Sequence, residues 1–343
     1  MTESKTAGTA AVGSRGNSWQ IMDLLGQAPG FAVLSQALTE LTDEGVPIVV
    51  GTADLKYSNG LVRYQEKYPD RFIQFGISEQ NMVSAAAGIA TTGNQPWIAT
   101  FASFLALLCA EQIRTDTAYT RLPVRMVGHH AGITLGFYGT SHHATEDLAI
   151  MRSIANLTVL APADPAQLYA LTKLTRDIDG PVYVRIGRGR DPYVYDAADL
   201  TDLRIGRALR HGGDAAVTIV ATGSMVQPSI QARSELAREG LDVCVLDMHT
   251  IKPFDRAAVE RAASSSELIV TVEEHNILGG LGGAVAEVMA ESPSRARLVR
   301  HGIHDEYSLI GPPSHLYRHY GLDAEGIADV IRRNALQPTR SGA

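Results

Sequence analysis

Residues 75–82 read Phe-Gly-Ile-Ser-Glu-Gln-Asn-Met, and this stretch sets how the chain around it folds. The run 71–75 predicts a β-strand, and the alanine-rich run 78–90 predicts an α-helix. Ser78 is placed to cap this helix, which leaves Glu79 in its first turn. The stretch predicts a carboxylate at the carboxyl end of a strand, where open α/β sheets bind ligands. Alone, such a Glu could simply complement the helix dipole.

Apolar strands and amphipathic helices alternate on both sides of this stretch. Over 28–190 the alternation predicts a parallel sheet with helices on both faces. The segment 191–214 contains Pro, Tyr, Asp and Gly with little apolar periodicity, so we assign it as a linker. The alternation resumes over 215–335 and predicts a second, smaller domain. The expected fold class is therefore α/β, with two mostly parallel sheets flanked by helices.

Length and composition limit the class of protein. The chain has 343 residues, 45% hydrophobic and 20% charged, which is enough for two globular domains. Its net charge of -7 argues against a nucleic-acid partner. No apolar run reaches the ~18 residues that a membrane span needs. Cys109 and Cys244 show no disulfide or metal spacing, which favours a reducing compartment such as the cytoplasm.

The two ends of the chain differ from its middle. Residues 1–27 are small and polar and lack the apolar core of a signal peptide, so we expect a flexible tail there. Within it, 18–25 could form a short helical arm. Residues 336–343 are expected to form a second tail.

Polar residues collect where the strands predicted for the first domain end. Parallel topology would bring these ends to one edge of the sheet. The residues are Asp54, Glu79, His129, His130, His142, His143 and Arg188. The spacing of the histidines does not match a zinc site, so we expect hydrogen bonds to a substrate and no metal. Residues 279–283 could cradle a phosphate at a helix start, although backbone packing is the commoner reason for such glycines.

Six segments together resemble the C-terminal half of transketolase, which comprises a pyrimidine-binding domain and a C-terminal domain. They are residues 51–58, 75–82, 100–104, 142–152, 247–255 and 271–282. The first reads Gly-Thr-Ala-Asp-Leu-Lys-Tyr-Ser, and the last reads Thr-Val-Glu-Glu-His-Asn-Ile-Leu-Gly-Gly-Leu-Gly. Each segment alone is a weak signal, whereas the set is specific and extends over 28–335. The resemblance implies a thiamine diphosphate-dependent transferase.

The resemblance implies a cofactor-binding and catalytic role for Glu79. In that family the matching Glu holds the aminopyrimidine ring of thiamine diphosphate and shares a proton with a ring nitrogen. Phe101 and Phe104 match the walls of the cofactor pocket, although ordinary core packing would also explain two phenylalanines. Asp54, which follows a neighbouring strand, is assigned to the same cofactor site. The family's third aromatic residue falls at Leu107, so we expect less stacking there.

The resemblance also implies substrate contacts. His130 matches the His near the ketose carbonyl carbon, and His142 matches a residue that hydrogen-bonds a donor oxygen. Both are assigned catalytic roles, assisting proton transfer and orienting oxygens. Ser58 and Arg188 match two contacts to the phosphate end of the substrate.

Two departures from the family pattern leave the donor sugar open. The Arg that completes the family's phosphate clamp would fall near 31–33, where the chain has none. The acidic pair of the family's Gly-Glu-Asp-Gly loop is replaced at 136–139 by Gly-Phe-Tyr-Gly. Tyr138 of this loop and the nearby His143 are further candidate substrate contacts. The ketose could therefore be unusual or unphosphorylated.

The family's magnesium- and diphosphate-binding motif, Gly-Asp-Gly…Asn, does not occur in this sequence. The resemblance therefore implies one subunit of a split transketolase, with the Mg²⁺ ligands on a separate diphosphate-binding subunit. We expect an α2β2 heterotetramer that includes a homodimer contact through this chain. The helix containing Gly88 could pack at such a contact, although core packing explains it almost as well.

Three functions remain open at this point. The first is the transketolase subunit. The second is a subunit resembling deoxyxylulose-phosphate synthase or the beta subunit of a 2-oxo acid dehydrogenase, which residues 250–255 (Thr-Ile-Lys-Pro-Phe-Asp) disfavour. The third is a non-catalytic regulatory partner, against which the retained Glu79 and His130 argue.

Overall fold

The computed structural model describes residues 29–335, so the expected tails and the arm at 18–25 lie outside the described residues. The strands in this range are β1 (Ile48–Thr52), β2 (Phe72–Gln74), β3 (Gln95–Phe101), β4 (Arg125–His129), β5 (Thr158–Leu160), β6 (Val182–Arg185), β7 (Leu209–His211), β8 (Val217–Ala221), β9 (Val243–Asp247), β10 (Thr250–Lys252), β11 (Leu268–Asn276) and β12 (Arg297–Ile303). The α-helices in this range are α1 (Pro29–Asp43), α2 (Val62–Lys67), α3 (Glu79–Ala90), α4 (Ala110–Gln112), α5 (Asp147–Ser153), α6 (Pro165–Leu174), α7 (Val226–Arg238), α8 (Arg256–Ser265), α9 (Leu281–Glu291), α10 (Pro313–His319) and α11 (Ala324–Ala335). Turns of π-helix flank α4 on both sides.

The first sheet has the strand order β10-β5-β6-β4-β3-β1-β2. Every neighbouring pair from β5 to β2 is parallel. All residues of β4 and β6 are buried, as expected for central strands with helices on both faces. The exception is β10, which comes from the second half of the chain and pairs antiparallel with β5. The second half thus covers one edge of the first sheet, which would otherwise expose unpaired backbone groups.

The second sheet has the order β12-β11-β8-β9-β7. The strands β8, β9, β11 and β12 pair in parallel, and β7 pairs antiparallel with β9. The predicted fold class, two mostly parallel sheets with flanking helices, is confirmed. However, β7 falls inside 191–214, the segment in which the sequence predicts no strand. Its three residues, Leu-Arg-His, are too few to show the alternation that identifies a strand.

A buried polar network joins the two domains. Arg185, at the end of β6, pairs with Asp147 at 2.8 Å and donates to the Glu274 carbonyl at 2.8 Å. The Glu274 side chain reaches from β11 into the first domain. Its carboxylate accepts hydrogen bonds from the Ile133 N–H at 2.7 Å, the Ser224 hydroxyl at 2.6 Å and the Tyr317 hydroxyl at 3.0 Å. Burial raises the pKa of Glu274 to about 7.

In the part of the chain that the structure describes, no helix has the length and apolar character needed to cross a membrane.

Candidate active site

Parallel strands of the first sheet bring the predicted site residues to one edge. β3 ends at Phe101 and β4 at His129, and these two residues are register partners. β2 leads through the turn at 75–78 into Glu79, the first residue of α3. The carboxyl ends of β1 to β4 therefore form one rim, as open α/β sheets require for a ligand site.

Glu79 lies at the start of α3 with only 7% of its surface exposed. Within residues 29–335, its hydrogen-bond donor is the Thr100 hydroxyl, at a long 3.4 Å from Oε1. Burial, reinforced by the charge of Glu79, raises the pKa of the nearby Cys109 thiol to about 12. Ser78 occupies the N-cap position, but its hydroxyl donates to the Phe75 carbonyl at 2.8 Å. The predicted side-chain cap is therefore wrong. Because the hydrogen bond from Thr100 is long, the Glu79 carboxylate has acceptor capacity left for a ligand.

Five residues assigned from the sequence form one cluster of rings. The Phe101 ring lies 5.4 Å from Phe104, 5.1 Å from His130 and 5.2 Å from His142. His142 also contacts Phe104 at 5.2 Å and Tyr138 at 5.0 Å. His142 is half-buried, and burial lowers its pKa. Two neutral imidazoles and three aromatic rings thus line the rim, with hydrogen-bonding nitrogens set in apolar walls.

Two further residues belong to this cluster: His129, which the sequence places among the polar residues at the strand ends without a role of its own in the resemblance, and Phe31, which received no site role. His129 contacts His130 through their Nδ1 atoms, 2.6 Å apart. Phe31 packs 5.5 Å from His130, at the position where the family's clamp Arg is missing. Two adjacent histidines after a strand were a visible signal for the first. Nothing local pointed to Phe31, because α1 and β4 meet only in the folded chain.

Arg188 is near enough to His130 to act on its charge, and it lines a cavity at the domain boundary. Its positive charge contributes, after burial and the neighbouring His129, to lowering the pKa of His130. With Arg190, Ser224 and Tyr317, it also lines the cavity, which has a volume of about 440 Å³. The structure thus puts a cationic residue near His130, and the assignment of Arg188 to the anionic end of a substrate stays a prediction.

The other assigned residues lie apart from the rings. Asp54 has an exposed side chain, and its backbone N–H donates to the Gln74 side chain at 2.6 Å. Ser58 is half-buried in the turn after β1. His143 is buried, and its Nδ1 lies 2.5 Å from the Ser308 hydroxyl of the second domain. The described contacts join none of these three side chains to the ring cluster.

Among residues 29–335, no group of three or more His, Cys, Asp or Glu side chains is arranged to hold a metal ion. Cys109 and Cys244 are buried, unpaired thiols.

The fold and the site define a two-domain α/β protein with a candidate ligand site at the carboxyl edge of its first sheet. The sequence pattern of the transketolase pyrimidine-binding domain matches residues 30–191, and that of the transketolase C-terminal domain matches residues 206–327. The chain belongs to the transketolase family, as the sequence predicts.

Three similar proteins differ in how much of their own length corresponds to this chain. A subunit of the apulose-4-phosphate transketolase of Phocaeicola vulgatus is 37% identical over 85% of this chain and 93% of its own length. A solved structure described as a split gene transketolase, inactive beta4 tetramer, is 38% identical with a TM-score of 0.80, covering 88% of this chain and 96% of that one. The 1-deoxy-D-xylulose-5-phosphate synthase 2 of Geobacter sulfurreducens is 35% identical over 88% of this chain but only 48% of its own length.

Proposed function

We propose that this chain is one subunit of a split, thiamine diphosphate-dependent transketolase. The assembled enzyme transfers a two-carbon ketol unit from a ketose to an aldehyde. The observation that carries this proposal is the buried Glu79 carboxylate, with spare acceptor capacity, at the same sheet edge as the Phe101, His130 and His142 rings. The relatives of similar length, named as subunits or split-gene products, support the same assignment.

The residues present fit the aminopyrimidine half of thiamine diphosphate. That ring presents nitrogen donors and a flat face, which suit a buried carboxylate acceptor and the Phe101 and Phe104 rings. Glu79 would hold the ring by a proton shared with its nitrogen, and Asp54 would stand at the same edge. When bound, the cofactor supplies the carbon nucleophile that attacks a ketose carbonyl. The Mg²⁺ and diphosphate contacts belong, in this proposal, to the partner subunit.

The chain's other site residues act on the substrate. His130 and His142 are neutral at pH 7, because burial lowers the pKa of both. A neutral imidazole both donates and accepts, so these residues can orient the ketose oxygens and move protons between them. Arg188 and Ser58 would receive the anionic end of the substrate. Tyr138 and His143 would shape the wall, through the contacts of Tyr138 with His142 and of His143 with the second domain.

The partner in this proposal is a separate diphosphate-binding subunit, in an α2β2 assembly with a homodimer contact through this chain. Large apolar side chains stand exposed on the chain segments that carry Glu79 and Phe104. Ile77 is 84% exposed, and Leu107 and Leu108 are 54% and 52% exposed. Gly88 on α3 is exposed, and a Cβ placed there would meet no atom within 4 Å, so a neighbouring subunit could approach closely. We further propose a reducing compartment such as the cytoplasm, which the two unpaired thiols support.

The substitution Glu79→Gln tests the catalytic assignment. In the assembled complex we expect ketol transfer to fall at least about 100-fold, because the amide cannot share its proton with the cofactor ring. Glu111→Gln, an exposed Glu of α4, is the matched control and should keep full activity. Full activity of the Glu79 variant in the complex would contradict the catalytic assignment of Glu79.

Isothermal calorimetry with thiamine diphosphate and Mg²⁺ tests the need for a partner. We expect binding when this chain is mixed with a diphosphate-binding subunit, and none with either subunit alone. Tight binding by this chain alone would contradict the split site. The absence of binding in the mixture would favour a regulatory role.

A second candidate, a deoxyxylulose-phosphate synthase type of subunit, is favoured by one observation: the similarity to the enzyme of that name. The two functions differ in their donor, because the synthase uses pyruvate and releases CO₂ from it. Pyruvate-dependent CO₂ release by the assembled complex, in the absence of a ketose, would select the second function.

A further inference from the structure

The loop 136–143 carries two residues of the candidate site, Tyr138 and His142, whose rings lie 5.0 Å apart. The regular structure in this loop is a single turn of 3₁₀-helix. Within the loop, the backbone N–H groups of His142 and His143 both donate to the Gly139 carbonyl, at 2.9 and 3.0 Å. The position of the two rings therefore depends on what holds the loop in place.

A segment of the second domain lies against this loop. Residues 304–312 connect β12 to α10, and the Ser308 hydroxyl in this segment lies 2.5 Å from His143 Nδ1. Both side chains are buried, with 6% of Ser308 and 3% of His143 exposed. A hydroxyl and an imidazole nitrogen can each donate or accept, so the hydrogen bond holds in either direction. A buried hydrogen bond thus joins the second domain to the loop.

Two glycines of the loop allow the same segment to approach closely. A Cβ placed on Gly139 would lie 2.7 Å from Ile310 Cδ1, so the Ile310 side chain packs directly against the backbone of this glycine. The Gly311 N–H donates to the Gly136 carbonyl at 3.3 Å, and a Cβ on Gly136 would collide with the Gly311 carbonyl. Residues 308–311 therefore contact the loop at its beginning, its middle and its end.

The contacting segment is itself held by the second domain. The Leu309 N–H donates to the hydroxyl of Tyr320, the residue that follows α10, at 2.8 Å. α10 is fixed in turn by the buried Leu316 side chain and by the hydrogen bond from the Tyr317 hydroxyl to Glu274, 3.0 Å long. The loop therefore rests on a segment that is tied to the second domain's core.

We propose that Ser308 and Ile310 are positioning residues through which the second domain holds the loop 136–143. The loop then fixes the Tyr138 and His142 rings where they meet the substrate, a step that rests on the proposed function. Catalysis is sensitive to displacements of about 1 Å in the groups that orient a substrate. The second domain thus acts on the substrate through a loop of the first.

Hydrogen exchange of the full chain, read by mass spectrometry of its peptides, tests the positioning without substrate, cofactor or partner. In Ser308→Ala we expect peptides covering 136–143 to exchange about two- to tenfold faster, because the loop loses a buried hydrogen bond and opens more often. Peptides from α7 should exchange as in the wild type. Unchanged exchange of the loop, or equal acceleration throughout the chain, would overturn the proposal. This result is independent of the Glu79→Gln experiment, so failure of the proposed function and failure of this inference can be told apart.

Three further variants complete the test. Ser308→Thr keeps the hydroxyl and should keep wild-type exchange. Ser264→Ala, at an exposed position of α8 whose hydroxyl bonds within its own helix, is the matched control and should also behave as the wild type. Ile310→Ala should accelerate exchange of the loop alone. Because Ile310 is 67% exposed, this variant should fold, and it decides the matter if Ser308→Ala does not.

Kinetics of the assembled complex connect the loop to the site. Ser308→Ala and Ile310→Ala should each lower kcat/KM for the ketose about three- to tenfold, with unchanged calorimetric binding of thiamine diphosphate. Ser308→Thr should restore kcat/KM. Wild-type kcat/KM in both variants despite faster exchange of the loop, or an equal loss in the Thr variant, would contradict the positioning role.

Discussion

A single backbone angle brings together the two histidines of the candidate site. The positive φ of His130 is costly for a residue with a Cβ, and such angles persist where the surroundings hold them. Here the holding contact is the hydrogen bond from its N–H to Gly187. His130 therefore lies at the rim because of its backbone as much as its side chain. Substitutions that alter this angle should disturb the site even when the imidazole is kept.

Substitution of Arg188 tests whether the enzyme binds a negatively charged group of its substrate. We expect Arg188→Gln to raise KM for a phosphorylated ketose about tenfold or more, because a charge-assisted contact to the anionic end is lost. The KM for an unphosphorylated ketose should change little. Steady-state kinetics of the assembled complex with both donors measures the difference.

Arg190→Gln is the matched control for this prediction. Arg190 lines the same cavity but is exposed, and its change should affect both donors equally and weakly. Equal KM changes for the two donors in the Arg188 variant would show that Arg188 does not bind the anionic end of the substrate.

At the scale of elements, a carboxylate occupies the start of α9. Glu273 accepts from the Leu281 N–H at 2.7 Å and from the Gly282 N–H at 2.8 Å. These are first-turn N–H groups, which have no partner inside a helix. A Cβ on Gly280 would collide with the Glu273 carboxylate, so this position requires glycine. The glycines at 279–283 therefore serve packing, the commoner of the two roles weighed from the sequence, and the helix start is not open to a phosphate.

We expect Glu273→Ala to lower the free energy of unfolding by about 2 kcal/mol, because it orphans two buried N–H groups. Urea unfolding of the full chain measures the change. Glu291→Ala is the control: this residue is on the same helix and forms an exposed ion pair with Arg256, worth at most about 1 kcal/mol. Similar, small losses in both variants would mean that Glu273 does not stabilise the helix start.

For the whole molecule, the domain interface predicts a pH dependence of stability. Burial holds the pKa of Glu274 at about 7, above the ordinary value of a Glu. Its contribution to stability is fully present below pH ~4.5 and is lost as the pH rises toward 7, because the unfolded chain releases this proton first. Relative to Glu274→Gln, the wild type should lose about 1 kcal/mol per pH unit between pH 5 and 7.

Urea unfolding at pH 5, 6, 7 and 8 checks this prediction. The amide of the Gln variant can still accept from the Ile133 N–H and the Tyr317 hydroxyl, so the interface should remain formed. Glu267→Gln, at an exposed position of the second domain, should follow the wild type at every pH. A constant difference between wild type and Glu274→Gln across the range would contradict the assigned pKa.

Local sequence patterns were enough to establish the two α/β domains and the position of Glu79 at the carboxyl end of a strand. Apolar periodicity over a few residues decides whether a segment is a strand or a helix, so both could be predicted without a structure. The rim that unites Phe101 with His130 was also predictable, since parallel strands align their carboxyl ends. The hydrogen bond of the Ser78 side chain was not predictable, because a hydroxyl near a helix start has several possible partners within reach.

The distant residues that complete the site and join the domains became visible only in the folded chain. β10 pairs with β5 about 90 residues earlier in the chain, Phe31 packs on His130 about 100 residues later, and Glu274 reaches Ile133. No local pattern encodes such contacts, because each depends on where the packed helices and sheets place two separate segments. The same holds for the contact between His129 and His130. It needs the positive φ of His130, which is held by a hydrogen bond to the carbonyl of Gly187, just after β6. Sequence periodicity determines the helices and strands, and long-range packing determines which of their side chains come into contact.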